Sequence, residues 1–537
     1  MPKCFLSLFF LLISFSGLAN KYYVFFTDKQ GQTLNPHTYF HENTIIRRNK
    51  CDVPLVQKTD LPVKAEYVNA LRPYCDSITT VSRWFNMACV YANSSNLTAI
   101  NSLPFVKYIQ HVNDLRVEIS ALAYDSKAKL ANHLEYQTER MEGSLFAKAG
   151  IEGDGVRIAV LDAGFTGANT HKSLSHLKIV NTYDFVAKRE SPYRGSTHGT
   201  SVLSVIGGIY NEKPMGLAPK AQFLLARTER HFFEQAAEEE YWLAAAEWAD
   251  KNGADIINSS LGYTNNRYFL EDMDGSSLVS KAANMAFAKG IIVVTSAGND
   301  GDNSWRYIGA PADADSVLAI GALNPKTDVK TGFSSYGPNA KGNLKPNLCA
   351  SGITFCCNSG NNYEQFQGTS FSSPLVAGFV ACYLQKFPNK NQKQVFEELQ
   401  KAGHLYPYFD YAHGYGVPLA SKALGGHKTN FPDFEIVSDS SSNSHLLVPL
   451  NPSISVDSFA RLCLAKNMFV KLESYTHKVV YYNVGTLRKQ SISDSVQVNW
   501  PKVIIYTNIG NAVTVGKKYY LTVHFEGYTK QKLIIWK

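Results

Sequence analysis

The chain of 537 residues is longer than one ordinary domain and predicts two to four domains. Its 45% apolar and 18% charged residues are typical of a globular protein and exclude a largely disordered one. The net charge of +8 is spread along the sequence without a block of like charges, so no nucleic-acid partner is predicted.

The N-terminal residues have the pattern of a secretory signal peptide. Lys3 precedes an apolar run of about fifteen residues, and the small residues Gly17 and Ala19 follow it. A membrane anchor is the alternative, but the run is short for a bilayer. We therefore predict a signal peptide over residues 1–19 and a protein that is secreted or held at the cell surface.

Export permits disulfide bonds, and the cysteines outside the predicted signal peptide could form them. Their pairing cannot be deduced from one sequence. No set of cysteine and histidine residues has the spacing of a zinc finger, so zinc is not predicted. The cysteines are Cys51, Cys75, Cys89, Cys349, Cys356, Cys357, Cys382 and Cys463.

The first region after the signal, residues 20–125, predicts a small α+β domain. It opens with the strand-like stretch "KYYVFFTD". The β-type stretches "VSRWFNMACVYA" and "FVKYIQHV" follow later, and "SNLTAINSLP" between them is typical of a short helix.

The second region, residues 126–427, alternates strand and helix patterns. Buried strands are predicted at "VRIAVLDAG", "AQFLLART", "ADIINSSLG" and "IIVVTSAGN", and helices at "FEQAAEEEYWLAAAEWADKNG" and "SLVSKAANMAFAKG". This alternation predicts an α/β fold with a parallel sheet covered by helices on both faces. Ligands bind beyond the carboxyl ends of the strands in such sheets, where "LDAG", "SSLG" and "SAGN" are expected to lie.

The third region, residues 428–537, has a different composition. The polar linker "VSDSSSNSHLL" is followed by short β-type runs such as "KVVYYNV", "KVIIYTN" and "KYYLTVHF". Turn signals separate these runs, which predicts a small antiparallel β-sandwich.

Three residues of the second region have the chemistry of one hydrolytic site: Asp162 in "IAVLDAGF", His198 in "THGTS" and Ser370 in "GTSFSSPLVAG". A serine hydroxyl needs a base to become a nucleophile, and imidazole is suited to that task near neutral pH. The imidazolium that forms needs a carboxylate beside it. Each residue alone also has a structural explanation, as a turn cap, a core histidine or a helix N-cap.

The surroundings of these residues suit such a site. Ser370 is expected at the N-terminus of a long helix, where free N–H groups favour negative charge, with Pro374 in the first turn. Gly199 and its small neighbours are expected to let substrate and Ser370 reach the imidazole of His198.

Five segments resemble the signature blocks of the subtilisin-like serine proteases: "IAVLDAGF", "STHGTSVLSVIGG", "NSSLGY", "TSAGND" and "QGTSFSSPLVAG". Their order Asp, His, Ser is that of the family, and the resemblance covers roughly residues 145–425. It implies the fold of those proteases and an exported serine endopeptidase that acts on proteins or peptides through an acyl-enzyme. The first region resembles the family's propeptides, which implies a self-processing zymogen inhibited by its own propeptide and cut between about residues 115 and 140.

The resemblance also implies roles for individual residues. Asp162 orients the base His198, Ser370 is the nucleophile, and Asn299 donates to the oxyanion together with the backbone N–H of Ser370. Substrate would pair with, or place a side chain against, a further set of residues: Ser260, Leu261, Gly262, Ala297 and Gly298.

The sequence departs from the family at several positions. Ser201 replaces a second histidine, Ala163 replaces Ser or Thr, and "KPNLCASGITFCCNSG" replaces the usual block before the nucleophile. The chemistry requires no cofactor. Structural calcium is common in the family, and Asp300 and Asp302 lie in a suitable type of loop, although a loop in water explains them equally well.

Other functions are open from the sequence alone. The protease fold could serve as the scaffold of a non-catalytic surface binding protein, or its activity could be limited to processing of its own chain. An esterase is disfavoured because "GTSFS" lacks the second glycine of the nucleophile elbow. The third region resembles C-terminal sorting domains of secreted Bacteroidetes proteins, which implies an export machinery as a partner.

Overall fold

The computed structural model describes most of the chain in several segments. They are residues 19–113, 117–118, 131–230, 233–234, 236–265, 267–325, 328–426, 432–438, 444–455, 458–459, 462, 467–474, 479–486, 496–499, 502–506, 513–525 and 528–537. The predicted signal peptide, apart from residue 19, and much of the predicted cleavage region lie outside the described residues. The described residues of Met1–Leu34 and Val56–Asp114 form one compact unit, and those of Asn35–Leu55 and Leu115–Lys537 form the other.

The first unit is an antiparallel sheet with two short helices. The elements of the N-terminal region are β1 (Asn20–Phe26), α1 (Pro36–Tyr39), α2 (Glu42–Lys50), α3 (Ala65–Leu71), β2 (Ser77–Ser82), β3 (Met87–Ala92), α4 (Leu97–Asn101), β4 (Val106–Val112) and β5 (Val117–Glu118). The sheet has the order β2-β3-β1-β4. Tyr22, Val24 and Phe26 alternate along β1 and join Leu71 of α3 and Ile100 of α4 in one core. The α+β prediction is confirmed here, but α1 and α2 were not predicted and belong to the second unit.

The second unit contains the α/β fold. Its elements are α5 (Ala131–Glu139), α6 (Gly143–Lys148), β6 (Arg157–Asp162), β7 (Lys178–Asp184), α7 (His198–Gly207), β8 (Ile209–Tyr210), β9 (Lys213–Pro214), β10 (Gln222–Arg227), β11 (Phe233–Glu234), α8 (Ala236–Lys251), β12 (Ile256–Ser259), α9 (Leu278–Ala288), β13 (Ile292–Ser296), β14 (Leu318–Leu323), β15 (Leu348–Ser351), β16 (Ile353–Cys357), β17 (Tyr363–Gln367), α10 (Thr369–Lys386), α11 (Gln392–Lys401) and α12 (Ala420–Ala423). The predicted parallel sheet is confirmed, with seven strands in the order β15-β14-β13-β12-β6-β10-β7.

Burial on both faces explains why these strands are almost continuously apolar. Every residue of β6 is buried. Ile158 and Val160 belong to the large core that also contains side chains of α7 and α10. The strand residues between them point to the opposite face, where α8 and α9 contact the sheet and each other. The sheet therefore positions the strand ends and the helix starts that carry the predicted site residues.

The C-terminal region consists of two antiparallel sheets. Its strands are β18 (Phe434–Ser438), β19 (Ser444–Pro449), β20 (Asn467–Ser474), β21 (Val479–Thr486), β22 (Val496–Asn499), β23 (Lys502–Tyr506), β24 (Lys518–Phe525) and β25 (Tyr528–Ile535). The sheets have the orders β18-β19-β23-β22 and β21-β20-β24-β25. The rings of Phe434 and Tyr528 lie 5.4 Å apart and join the two sheets, in agreement with the predicted β-sandwich.

Most of the described cysteines are buried. Six of the seven are buried and Cys75 is half-buried. Cys463 lies outside the described residues. Within the described part of the chain, no helix has both the length and the apolar character needed to cross a membrane.

Candidate active site

Three neighbouring strands bring the predicted site residues to one edge of the sheet. Asp162 is the last residue of β6, Ser260 follows the end of β12, and Ala297 follows the end of β13. Ser259 of β12 lies beside Leu161 of β6 on one side and beside β13 on the other. The carboxyl ends of these parallel strands are the usual place for a ligand site.

Asp162 and His198 form a direct hydrogen bond at this edge. The Nδ1 atom of His198 lies 2.8 Å from Oδ1 of Asp162, and the same oxygen accepts the backbone N–H of Ala163 at 2.8 Å. Asp162 is fully buried, and its Oδ2 atom has no hydrogen-bond partner among the described residues. Since the carboxylate fixes Nδ1, the other nitrogen of the imidazole is the one left to act as a base.

The pKa of His198 is the net result of opposing effects. Burial of the imidazole lowers this pKa, while the charge and the hydrogen bond of Asp162 raise it by more. The pKa of His198 therefore lies above the usual histidine value. About 30% of the side chain is exposed, so a substrate can reach the ring.

Gly199 has a different role from the one predicted. A Cβ atom at this position would lie 2.5 Å from the carbonyl oxygen of Gly164 and 3.0 Å from Cβ of Asp162. The missing side chain thus makes room for the turn after β6. The expectation that Gly199 clears a path for substrate and Ser370 is wrong, because the turn that carries Asp162 fills the space.

Ser370 is the second residue of α10, as the sequence predicts for a helix N-terminus. Gly368 precedes the helix with φ +149°, a backbone conformation that favours glycine. The Oγ atom of Ser370 donates to the carbonyl of Ser260 at 3.1 Å. Between the described side chains of Ser370 and His198 there is no hydrogen bond, but the ring of Phe371 lies 5.6 Å from the imidazole, so the start of α10 adjoins His198.

Pro374 lies in the second turn of α10, not in the first as predicted. It is the sixth residue of the helix. Because proline has no N–H, the carbonyl of Ser370 loses its normal intrahelical donor. The hydroxyl of Ser260 takes that place at 2.8 Å. The side chain of Ser260 therefore supports the helix that carries Ser370.

The amide of Asn299 is fixed beside the start of α10. Its Oδ1 atom accepts the backbone N–H and the hydroxyl of Thr369, both at 2.9 Å. The hydrogen-bond network thus assigns oxygen to the end that faces Thr369. The Nδ2 group is left without a partner among the described residues and remains able to donate.

The residues predicted to contact substrate differ in what their backbones offer. Ala297 is buried and its N–H and carbonyl are bonded to Ile320 and Gly309. Gly298 accepts from Ser335 and donates to Thr369. These two residues can line a substrate pocket, but their backbone N–H and carbonyl groups are already bonded within the protein.

The segment of residues 260–262 is more accessible at its far end. The carbonyl of Leu261 accepts the hydroxyl of Ser296 at 3.3 Å, and Leu261 is buried. Gly262 is exposed, and its N–H and carbonyl form no hydrogen bond with the described residues. An extended chain could pair with this free backbone.

The loop after Asn299 and its surroundings are held by their own hydrogen bonds. The carboxylate of Asp300 accepts the amide of Asn303 at 2.7 Å. Nearby, the buried ammonium of Lys330 donates to three carbonyls, those of Thr331, Gly332 and Ser334. The described residues contain no group of three or more His, Cys, Asp or Glu side chains suited to a metal ion. Calcium at Asp300 and Asp302 stays a prediction.

Three supporting residues were not identified from the sequence. Thr369 orients the amide of Asn299, and Phe371 packs against His198. Arg227 donates to the carbonyl of Ala163 at 3.1 Å and forms an ion pair with Asp184, which holds the turn after Asp162. Thr369 stands next to Ser370 in the quoted motif, so its position was a usable signal. Arg227 had no such signal, because its partner is distant in sequence.

Comparisons with known proteins identify the relatives of this chain. A profile described as "Subtilase family" matches residues 153–416, and one described as "Peptidase S8 propeptide domain, Bacteroidota" matches residues 21–128. Subtilisin DY of Bacillus licheniformis is 31% identical over 271 residues, which are 49% of this chain and 90% of that protein. Subtilisin of Bacillus pumilus is 28% identical over 291 residues, 53% of this chain and 97% of that protein. A thermostable alkaline protease of Halalkalibacterium halodurans is 31% identical over 258 residues, 47% of this chain and 63% of that protein.

Fold and similarity together define the class of the protein as a serine-type peptidase, a hydrolase of peptide bonds. The chain belongs to the subtilase family, and it carries the propeptide domain of a zymogen ahead of the peptidase domain.

The Asp162→Asn variant tests the hydrogen bond to His198. We expect peptide hydrolysis to fall by about 10⁴-fold, because the amide no longer holds the imidazole in the correct tautomer. The base works only when neutral, so activity is lost as the pH falls through the pKa of His198. Without the carboxylate that raises this pKa, the acid limb of kcat against pH should move to lower pH.

The control is Asp154→Asn, which changes an exposed carboxylate in the same domain. It should leave the rate and the acid limb unchanged. An acid limb that stays in place in the Asp162→Asn variant would mean that the limb reports a group other than His198.

Proposed function

We propose that the protein is an exported serine endopeptidase that matures by cutting its own propeptide and then hydrolyses proteins or peptides. In this proposal Ser370 is the nucleophile, His198 is the base, Asp162 orients the base, and Asn299 stabilises the oxyanion. The observation that carries the proposal is the 2.8 Å bond from Asp162 to His198, beside a helix start that holds Ser370 and the oriented amide of Asn299.

The first step requires a change of partner at Ser370. Its hydroxyl donates to the carbonyl of Ser260, and a rotation about the Cα–Cβ bond would turn it to the second nitrogen of His198. That nitrogen takes the proton while Oγ attacks the carbonyl carbon of the substrate. The buried carboxylate of Asp162 stabilises the imidazolium that forms.

The negative oxygen of the tetrahedral intermediate would accept two hydrogen bonds. One comes from Nδ2 of Asn299, whose other end is held by Thr369. The other comes from the backbone N–H of Ser370 in the first turn of α10, where the helix leaves N–H groups unpaired and its dipole favours negative charge. These donors are fixed before the reaction, so little reorganisation is needed.

The remaining steps follow from the same residues. His198 gives its proton to the leaving amine, and the acyl group stays on Oγ of Ser370. Water then enters, loses a proton to His198 and releases the acid. The free backbone of Gly262 supports binding of an extended substrate by strand pairing, with Ser260, Leu261, Ala297 and Gly298 around the residue before the cut bond.

The proposed domain limits follow the sequence: a signal peptide at 1–19, a propeptide at 20–125, the peptidase at 126–427 and a β domain at 428–537. The match to a propeptide domain supports a propeptide that inhibits the peptidase until it is cut, and Val117–Glu118 forms a strand with Phe233–Glu234 of the peptidase. The C-terminal β domain would engage the export machinery. Delivery to the exterior or cell surface rests on the sequence of the first nineteen residues.

The Asn299→Ala variant tests the oxyanion donor. We expect kcat to fall by about 10²–10³-fold with a similar KM, a size known from removal of the corresponding donor in subtilisin. The Thr369→Val variant keeps the amide but removes one bond that orients it, so its loss of kcat should be smaller. Steady-state kinetics on a peptide substrate decide the matter, and an unchanged kcat in Asn299→Ala would assign the donor elsewhere.

The Ser370→Ala variant tests self-processing. The wild-type protein should lose about 12 kDa, the mass of residues 20–125, since 537 residues weigh 59.6 kDa. The variant should fold but keep the propeptide, because loss of the nucleophile costs on the order of 10⁶ in rate in subtilisin. Mass spectrometry of both proteins, expressed in a host with few proteases, measures this.

Two further readouts separate the outcomes. A fluorophosphonate should label Ser370 in the wild-type protein and leave Ser370→Ala unlabelled. Equal processing of both proteins would mean that another enzyme performs maturation, and equal hydrolysis of a peptide library by both would remove Ser370 as the nucleophile. Self-cleavage without hydrolysis of any library peptide would limit the activity to processing of its own chain.

A further inference from the structure

Residues 35–55 of the propeptide region pack on the peptidase through the ends of two helices. They belong to the same compact unit as the peptidase domain. The segment contains α1 and α2, and α2 lies against the C-terminal ends of α8 and α9. The hydroxyl of Thr44 donates to the carbonyl of Asp250 at 2.6 Å, and the N–H of His41 donates to the carbonyl of Lys251 at 2.9 Å.

Two neighbouring arginines of α2 share one carboxylate. The guanidinium of Arg47 lies 2.5 Å from Oδ1 of Asp250, and that of Arg48 lies 2.9 Å from Oδ2. At most 1% of each of the three side chains is exposed. Arg47 also donates to the carbonyls of Ala254 and Lys289, which follow the ends of α8 and α9. Positive charge at the carboxyl ends of two helices is favoured by their dipoles.

The glycines that follow the two helices leave space for this segment. Gly253 follows α8 with φ +80°, and a Cβ atom there would lie 2.7 Å from Cβ of Asn43. Gly290 follows α9 with φ +92°, and a Cβ atom there would lie 3.0 Å from Sγ of Cys51. Neither position has room for a side chain while residues 35–55 are bound, so the two surfaces are sterically complementary.

This contact lies at the edge of the sheet opposite the candidate active site. The helix ends lead directly into the first residues of β12 and β13, and Ile256 pairs with Ile158 near the start of β6. Asp162 lies at the other end of β6, roughly 15 Å away at the rise of a strand. The segment therefore cannot act by covering the catalytic residues.

We propose that residues 35–55 are a second anchor, which holds the cleaved propeptide on the peptidase through the Arg47 and Arg48 pair at Asp250. The inference rests on the proposed maturation, in which the chain is cut between about residues 115 and 140. Separation would leave the carboxylate of Asp250 and the carbonyls of Ala254 and Lys289 without these donors. Loss of one partner from a buried charge pair acts mainly on the rate of dissociation.

Two contacts on one chain strengthen each other. When the cut falls after Glu118, the propeptide still carries β5, which pairs with β11, and α2, which binds the helix ends. When one contact opens, the other keeps the effective concentration of the first high. Release of active enzyme would thus require both contacts to open, and it would be controlled in part far from the catalytic residues.

The test uses the full chain with Ser370→Ala, so that it does not depend on self-processing. The recognition sequence of a specific protease is inserted between residues 125 and 126, the chain is cut, and the peptidase part is held on a surface by a C-terminal tag. Mass spectrometry then follows the propeptide released over time. We expect retention for hours, and release at least about tenfold faster in the Arg47→Gln, Arg48→Gln double variant.

The matched control is Arg72→Gln, which removes an exposed arginine of the propeptide region. It should release the propeptide at the original rate. Equal release from the double variant and the control would overturn the second anchor. This result would not bear on the proposed catalytic residues, since Ser370 is absent from every protein compared.

Hydrogen–deuterium exchange gives a result even if the double variant does not fold. In the protein with native Arg47 and Arg48, the amides of α2 should stay protected after the cut to the same degree as before it. Protection of α2 that disappears on cutting, while the cut propeptide remains bound through β5, would also overturn the proposal.

Discussion

The hydrogen bond between Asp162 and His198 requires the turn after β6 to lie directly against the first turn of α7. Gly199 permits this approach because any side chain there would meet the turn. Arg227 then holds the turn from the neighbouring strand through the carbonyl of Ala163. The position of the imidazole, and with it the use of Ser370, depends on this close contact between a strand end and a helix start.

The parallel-sheet fold and the position of Asp162 at the end of a strand were predictable because their signals are local, while the roles of the site residues stay predictions. Apolar runs separated by helix patterns predict a buried parallel sheet, and short motifs mark the ends of its strands. The reason for Gly199 was not predictable, because it depends on Gly164, which is 35 positions away in sequence. Pro374 was assigned to the wrong turn because a hydroxyl of Ser260, which follows the end of β12, replaces the missing donor.

The segment of residues 35–55 was not recognised for a related reason. Arg47 and Arg48 resemble the charged surface residues of any short helix, and their shared partner Asp250 lies about two hundred residues later in the sequence. Only tertiary structure makes them buried. Within the second unit, described residues of the propeptide region contact the peptidase by backbone pairing at β11 and by paired charges at the helix ends.

Burial limits the chemistry of the described cysteines. Burial raises the pKa of Cys357 to about 12 and that of Cys75 to about 11, so hardly any reactive thiolate exists near neutral pH. Six of the seven described cysteines are buried among packed side chains, and this burial also keeps oxidants away from their sulfur atoms.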